Sequence, residues 1–251
     1  MLKIYTYFLT RMSMPATKAD IIAQLQKDLL LLQGLKHIAN DHAVDTGLGP
    51  INAAFPGNIF PLGAIHEFIA EDGAATGGFV AGILSALMQN GGVCLWISSC
   101  RTLFPPALYS FGILPDKIIF IDLQKERDLL WGMEEALKCN GLAAVVGELK
   151  ELSFTASRRL QLAVEQSRVT GFVLRAKADT TTSCVTKWKI TSLPGKLNDD
   201  MPGIGFPRWN IQLLKVRNGK QGSWQMEWVN GKLRPVFDLA FGQPEQQKKV
   251  G

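Results

Sequence analysis

The chain is poor in cysteine and histidine, and it has no long apolar run. Only four of its 251 residues are cysteine and three are histidine. The cysteines stand far apart with no C-x-x-C pair, which argues against a zinc site and a disulfide framework and fits a reducing cytoplasm. No apolar stretch approaches the roughly 20 residues that cross a bilayer. We therefore expect a cytoplasmic protein with no bound metal and no membrane contact.

The sequence also lacks the patterns of several enzyme classes. It contains no G-x-S-x-G, no H-E-x-x-H and no Ser/His/Asp set with an informative spacing, so nothing nominates a catalytic residue. The three histidines are isolated, and His66 falls in a predicted strand, where a hydrogen-bonded structural role is the more common one. The opening segment MLKIYTYFLTR carries no small-residue cleavage site, so we expect no signal peptide.

Positive charge is concentrated in the C-terminal half. Residues 117–251 hold 21 Lys and Arg against 14 Asp and Glu. Such an excess either forms a solvated face or binds nucleic acid or an acidic protein. Trp209, Trp224 and Trp228 alternate with basic residues, as in a stacking platform for single-stranded nucleic acid. The more common arrangement buries the tryptophans and turns the basic residues to water.

Strand and helix patterns alternate from about residue 63 onward. Strand patterns are AIHEFI, VCLWIS, KIIFIDL, GLAAVVGEL and TGFVLRA, and helix patterns are FVAGILSALMQN, ERDLLWGMEEALK and FTASRRLQLAVEQSR. Short connections between them predict an α/β protein, a three-layer fold around a mostly parallel central sheet. The last third is strand-like with the turn pairs Asn218-Gly219 and Asn230-Gly231, which predicts antiparallel strands at one edge of the sheet.

We divide the chain into four parts. Residues 1–13 are predicted to be a disordered extension, 14–62 an N-terminal helix and linker, 63–242 the core, and 243–251 a disordered tail. The helix, from about Thr17 to Gln33, carries a wide leucine-rich stripe. It could dock onto a neighbouring molecule or fold back on its own core, and both interpretations remain open.

The segment AEDGAATGGFVAG, residues 70–82, occupies the position of a phosphate loop between a strand and a helix. The glycine frame G-x-x-x-x-G runs from Gly73 to Gly78, and Phe79 and Val80 then stand where lysine and Ser/Thr are required. Starting the frame three residues earlier places Ala75 and Thr76 at the Gly-Lys positions. Glu71 and Asp72 add two carboxylates. Gly73, Thr76, Gly77 and Gly78 therefore form a degenerate phosphate-loop region, in which the backbone geometry could survive but the electrostatics could not.

The other parts of a RecA-like ATPase site are equally incomplete. The strand VCLWIS is followed by Ser99 and Cys100, where such enzymes usually carry a catalytic carboxylate. Glu148, after Gly147, is the one usable acid. A single misplaced carboxylate is more often structural or solvent-facing than catalytic.

Three longer stretches resemble one protein family. FPLGAIHEF is similar to the L-P-x-G-x-(I/V)-x-E segment that leads into the RecA phosphate loop. LSFTASRRLQLAVEQSRVTGFVLR and RWNIQLLKVRNGKQGSWQMEW resemble matching segments of the ImuA family, RecA-like subunits of a bacterial translesion mutagenesis system. The resemblance covers residues 14–242. It implies a RecA-like P-loop-type core that works with an ImuB-like Y-family protein and a DnaE-type polymerase in the SOS response to DNA damage. RecA itself and single-stranded DNA are further candidate partners.

The missing lysine separates this chain from an active RecA-type ATPase. We expect no ATP hydrolysis and no cofactor, and hence a non-catalytic adaptor of error-prone translesion DNA synthesis. Two alternatives remain. One is a DNA-dependent ATPase of RecA type that borrows a cation from a neighbouring subunit, and the other is a SulA-like inhibitor of cell division.

The resemblance also points to a binding surface. In RecA-like proteins the loop after the strand that corresponds to TGFVLRA faces the axis along which DNA runs. That loop is KADTTTSC here, polar and expected to face solvent. We therefore expect Arg175, Lys177, Lys187 and Lys189 to be exposed and to contact DNA or an acidic partner.

Overall fold

The computed structural model describes residues 44–89, 91–100, 103–177, 180–195 and 205–236. The predicted extension at 1–13, the N-terminal helix at 17–33 and the tail at 243–251 lie outside the described residues and stay predictions. Among the residues described, no helix is both long enough and apolar enough to span a membrane.

One mixed sheet of nine strands forms the centre of the described fold. The strands are β1 (Ile65–Ile69), β2 (Val93–Ser98), β3 (Ile118–Asp122), β4 (Leu142–Glu148), β5 (Thr170–Arg175), β6 (Thr186–Leu193), β7 (Arg208–Val216), β8 (Gly222–Val229) and β9 (Lys232–Pro235). Their order across the sheet is β3-β2-β4-β5-β1-β6-β7-β8-β9. The pairs from β3 to β6 are parallel, and those from β6 to β9 are antiparallel. The predicted sheet with antiparallel strands at one edge is confirmed.

Helices cover both faces of this sheet. They are α1 (Gly73–Met88), α2 (Glu126–Leu137) and α3 (Phe154–Ser167). Phe79, Val80 and Leu84 of α1 share one apolar core with Phe68, Trp96 and Trp188 of the sheet. Side chains of α2 and α3 share a second core with Ile97, Val145 and Val173, which point to the opposite face. The result is a three-layer α/β structure, consistent with a RecA-like fold.

Local sequence explains several of these elements. All six residues of β5 are buried, as expected for an apolar strand covered on both faces. Helix α3 begins at the side chain of Ser153, whose hydroxyl accepts a hydrogen bond from the Ala156 amide at 3.1 Å. Asn230 and Gly231 both adopt positive φ and join β8 to β9 in a two-residue hairpin, so this predicted turn is confirmed.

The described part of the predicted linker contributes to the core. Residues 44–62 contain no α-helix or strand, and two short 3₁₀ segments lie at Gly49–Ala54 and Pro56–Asn58. Nevertheless Ile51, Phe55 and Phe60 are buried and pack into the core beneath α1. The sequence predicted the loop, but the apolar residues within it make it part of the packed domain.

Helix α1 begins earlier than the sequence predicted. The pattern placed its start at Phe79, whereas the helix starts at Gly73 and includes the whole GAATGG segment. Glycine disfavours a helix by about 1 kcal/mol per residue relative to alanine, which explains the incorrect boundary. Two features offset that cost. One is the local cap that the side chain of Asp72 forms on the Ala75 amide, and the other is close packing of aromatic rings that are distant in sequence.

Candidate functional site

A groove of about 1000 Å³ opens at the carboxyl ends of β1, β2, β4 and β5. Open α/β sheets bind their ligands at this edge. Its wall includes Ala70 after β1, Trp96 of β2, Glu148 of β4, Ser192 of β6 and Trp209 of β7. We call it the strand-end groove, and it is where a RecA-type nucleotide would be expected.

The connection from β1 to α1 has only three residues, Ala70, Glu71 and Asp72. A phosphate loop needs several consecutive free amides between strand and helix to surround the phosphates. Three residues cannot form that cradle. The expectation that the backbone geometry of a phosphate loop could survive is therefore wrong.

The amino end of α1 is already occupied by a carboxylate. Asp72 Oδ1 accepts a hydrogen bond from the Ala75 amide at 3.0 Å. Its Oδ2 accepts two more, from the Ser192 amide at 2.9 Å and the Ser192 hydroxyl at 2.5 Å. Burial by itself would raise the pKa of Asp72, but these hydrogen bonds outweigh it and hold the pKa below its ordinary value. A negative charge thus lies at the helix end that would otherwise attract phosphate.

The four residues of the predicted degenerate loop all lie in the first turns of α1. Gly73, Gly77 and Gly78 line the strand-end groove, whereas Thr76 is fully buried and is not part of the groove wall. A Cβ at Gly78 would stand 3.0 Å from both Phe111 Cζ and Trp209 Cζ2. Close approach of aromatic rings, which only a hydrogen side chain permits, therefore accounts for this glycine.

Glu148 lies in the wall of the groove at the end of β4. Its Oε1 accepts a hydrogen bond from Trp96 Nε1 at 2.7 Å. Burial raises the pKa of Glu148, and the nearby negative charge of Asp122 raises it further, although the Trp96 hydrogen bond acts in the opposite sense. Trp96 thus orients the acid, which the sequence singled out as the one usable carboxylate of the strand ends.

Arg175 is not available for binding, because it is buried in an ion pair. Only 3% of Arg175 is exposed, and Nη1 lies 2.8 Å from Oε1 of the fully buried Glu67. Thr182 donates a hydrogen bond to the other oxygen of Glu67 at 2.5 Å. The prediction that Arg175 is exposed is wrong, because the sequence could not indicate that a carboxylate on β1 faces the end of β5.

The other three predicted cations differ in their surroundings. Lys187 Nζ lies 3.8 Å from Glu67 Oε1, and Lys189 Nζ lies 2.7 Å from Glu71 Oε2. Lys177 is exposed. The structure therefore brings two of the four cations to one buried carboxylate, pairs a third with Glu71, and presents Lys177 to solvent.

Part of the predicted binding loop is also buried. Thr182, Ser183 and Cys184 are buried, and the Ser183 amide donates a hydrogen bond to Ser157 Oγ of α3 at 2.9 Å. Burial raises the pKa of the Cys184 thiol to about 11. The prediction of a solvent-facing loop holds for Lys177 and Thr180 but is wrong for these three residues.

The tryptophans of the C-terminal strands belong to the core. Trp209 and Trp228 are buried, and Trp224 packs against the same cluster beneath α1. They form no stacking platform for single-stranded nucleic acid. The inward tryptophans of the alternative that the sequence left open are observed, whereas Arg208, Lys215 and Arg217 are only partly exposed.

Two aromatic side chains at the groove were missed by the sequence analysis. Phe104 is 68% exposed and Phe206 is 49% exposed, and both line the strand-end groove. They lie in irregular segments that periodicity cannot assign, although each is a phenylalanine next to proline outside any strand or helix. Within the described ranges, no group of three His, Cys, Asp or Glu side chains could hold a metal ion.

Comparison with known proteins gives two kinds of relative. Protein ImuA of Caulobacter vibrioides (strain NA1000 / CB15N) is 31% identical over 194 residues, which cover 70% of this chain and 80% of that protein. Protein ImuA of another strain of that species, ATCC 19089 / CIP 103742 / CB 15, gives the same values. The cell division inhibitor SulA of Photorhabdus laumondii subsp. laumondii is 31% identical over 96 residues, 37% of this chain and 54% of that protein. No family model matches the sequence.

Proposed function

Since the chain belongs to the ImuA family, we propose that it is a non-catalytic, RecA-like accessory protein of error-prone translesion DNA synthesis after DNA damage. It acts as an adaptor between an ImuB-like Y-family protein and a DnaE-type polymerase. The similarity to ImuA supports a role in DNA damage-induced mutagenesis, and the adaptor role is our interpretation of the altered nucleotide site.

One observation carries the non-catalytic part of this proposal. Asp72 caps α1 at the place where a phosphate loop would present free amides, and it is fixed there by Ser192. A triphosphate would meet this carboxylate and Glu148 in the same groove. Because like charges repel strongly in a partly buried site, these carboxylates oppose the binding of a triphosphate.

Deletion of the gene from its own organism tests the proposed function. We expect the deletion strain to lose most of the increase in mutation frequency that follows ultraviolet irradiation, and a plasmid-borne copy to restore it. Spontaneous mutation frequency without irradiation serves as the control. An unchanged damage-induced mutation frequency would exclude the proposed role.

The match to a cell division inhibitor supports a second candidate function. It is confined to 96 residues of this chain. If the chain inhibits division, its overproduction should produce filamentous cells without DNA damage. Cells of normal length at high protein levels would argue against that function and leave the first proposal unaffected.

Any direct contact with single-stranded DNA is best placed at Lys177. Arg175 is buried, whereas Lys177 is exposed next to it. Lys177→Glu should weaken binding and reduce the log–log salt slope by about 0.7, the value for one phosphate contact on a single strand. Lys125→Glu, an exposed lysine before α2, is the matched control. Equal effects of both variants would contradict a specific contact at Lys177.

A further inference from the structure

The strand-end groove is apolar over most of its wall. Rings of Trp96, Phe111 and Trp209 line it, and so do the exposed side chains of Phe104 and Phe206. Apolar patches of this kind on a folded protein, next to a concave surface, are typical of interaction sites. The groove therefore lies at the strand ends, where a RecA-type nucleotide would be expected, but its wall is mainly apolar.

Some charged side chains in the groove wall have an ion-pair partner among the described residues, and Glu148 does not. Arg175 is paired with Glu67 at 2.8 Å, and Arg208 with Glu227 at 2.7 Å. Glu148, by contrast, receives the Trp96 indole N–H, and no lysine or arginine in the described part of the chain forms an ion pair with it. A carboxylate in partly buried apolar surroundings is stabilised by a cation that arrives with a ligand.

We propose that the strand-end groove binds a short peptide segment of a partner protein, with an aromatic or leucine side chain among its aromatic rings and a lysine or arginine at Glu148. The apolar anchor lies against Trp96, Phe111 and Trp209. The cationic side chain donates hydrogen bonds to the carboxylate that Trp96 holds in place. This inference rests on the proposed adaptor function and specifies the chemistry of one of its partners.

A peptide fits these observations better than a nucleotide or nucleic acid does. Arg175 and Arg208 are paired with other carboxylates, so Lys150 is the wall cation that faces two acids, Asp72 at the amino end of α1 and Glu148, and this balance disfavours polyanions. The volume of about 1000 Å³ is at the upper end of the range for small-molecule pockets. The exposed phenylalanines Phe104 and Phe206 in the groove wall add apolar contact area, as expected for a protein partner.

The test uses the purified full-length chain and a phage-displayed library of random linear peptides. The most enriched peptide is synthesised with a fluorescent label, and its affinity is measured by fluorescence anisotropy. Ala107→Trp fills the groove from an exposed position, and Ser110→Trp places the same bulk on an exposed residue of the same 3₁₀ segment outside the groove wall. Glu148→Gln removes the charge but keeps an acceptor for Trp96, and Glu151→Gln removes an exposed charge nearby.

We expect enriched peptides to combine an aromatic residue or leucine with lysine or arginine. Ala107→Trp should abolish their binding, and Glu148→Gln should weaken it about tenfold or more, because a partly buried charge pair is broken. Both control variants should bind like the unmodified chain. Replacing the basic residue of the peptide by glutamine should weaken binding to the unmodified chain equally but should add nothing to Glu148→Gln.

Several results would overturn the proposal. The library could yield no enriched peptides or only acidic ones, or Ala107→Trp could leave peptide binding unchanged. Two further contradicting results are ATP binding that Ala107→Trp abolishes and a dimer that the same substitution dissociates. The last two would assign the groove to a nucleotide or to a second copy of the chain. If no peptide binds but the deletion strain still loses damage-induced mutagenesis, only the peptide site is rejected. Normal induced mutagenesis in that strain would instead reject the proposed function.

Discussion

At the scale of single residues, we expect the fold to be sensitive to substitution in the buried ion pair between Arg175 and Glu67. Both side chains are buried, and removing Arg175 leaves the buried carboxylate of Glu67 with the more distant Lys187, at 3.8 Å, as its cation. We expect Arg175→Ala to lower the free energy of unfolding by about 3–5 kcal/mol. Exposed Lys177→Ala should change it by less than about 0.5 kcal/mol. Urea unfolding curves measure both, and a similar stability of the two variants would contradict the structural role of Arg175.

His66 gives the fold a defined dependence on pH. Trp188 Nε1 donates to Thr186 Oγ1 at 2.6 Å, and His66 contacts that hydroxyl through Nδ1 at 2.7 Å and the Pro61 carbonyl through Nε2 at 2.8 Å. The neutral ring satisfies every contact if Nε2 donates and Nδ1 accepts from Thr186. Burial lowers the pKa of His66 to about 3, partly offset by the hydrogen bond to Pro61.

The sign of the pH effect follows from that shift. The folded-state pKa lies below the ordinary value of 6.5, so the stabilisation is present above pH 6.5 and is lost as pH falls toward 3. As pH falls through this window, the free energy of unfolding should decrease faster than in a His66→Gln variant. The difference between the two slopes should reach about 1.4 kcal/mol per pH unit at most. Urea unfolding at a series of pH values measures the two slopes. Parallel curves would show that His66 does not carry the effect.

At the scale of elements, helix α1 depends on glycines that admit aromatic rings. A Cβ at Gly82 would lie 2.8 Å from Trp228 Cζ3, whereas a Cβ at Gly73 would have no atom within 4 Å. Gly82→Ala should therefore cost about 1–3 kcal/mol of stability through overpacking. Gly73→Ala should be neutral or stabilising by up to about 1 kcal/mol, because alanine favours the helix. Thermal unfolding of the two variants distinguishes them, and a destabilised Gly73→Ala would indicate a constraint other than packing.

At the scale of the whole molecule, the three-layer fold is RecA-like, and we expect it not to bind or hydrolyse ATP. ATP with magnesium should leave the melting temperature unchanged, because a ligand raises it only by binding the folded state. We also expect no steady ATP hydrolysis. Differential scanning fluorimetry and a phosphate-release assay measure the two quantities. A nucleotide-dependent rise in melting temperature, or turnover that Glu148→Gln abolishes, would contradict the non-catalytic interpretation.

The sequence was informative where chemistry and periodicity are local. Apolar runs such as VCLWIS predicted buried parallel strands, and alternation around Trp224, Met226 and Trp228 predicted an antiparallel strand with one face toward the core. The absence of a lysine after Gly78 removed the charge that a triphosphate needs. These properties depend on a residue and its near neighbours, so they can be read without coordinates.

Only the tertiary structure decided which distant residues meet. Arg175 is a surface cation by composition, yet the parallel pairing of β5 with β1 brings it to Glu67, 108 positions away. Gly78 looked like part of a phosphate loop, yet it is helical, and Trp209 from the antiparallel strands packs against it. Asp72 ends the loop early because Ser192 of β6 holds its carboxylate. The sequence thus determined the layers and the missing cation, while long-range packing and hydrogen bonding determined that this end of the sheet forms a groove lined with aromatic rings, with Asp72 at the amino end of α1.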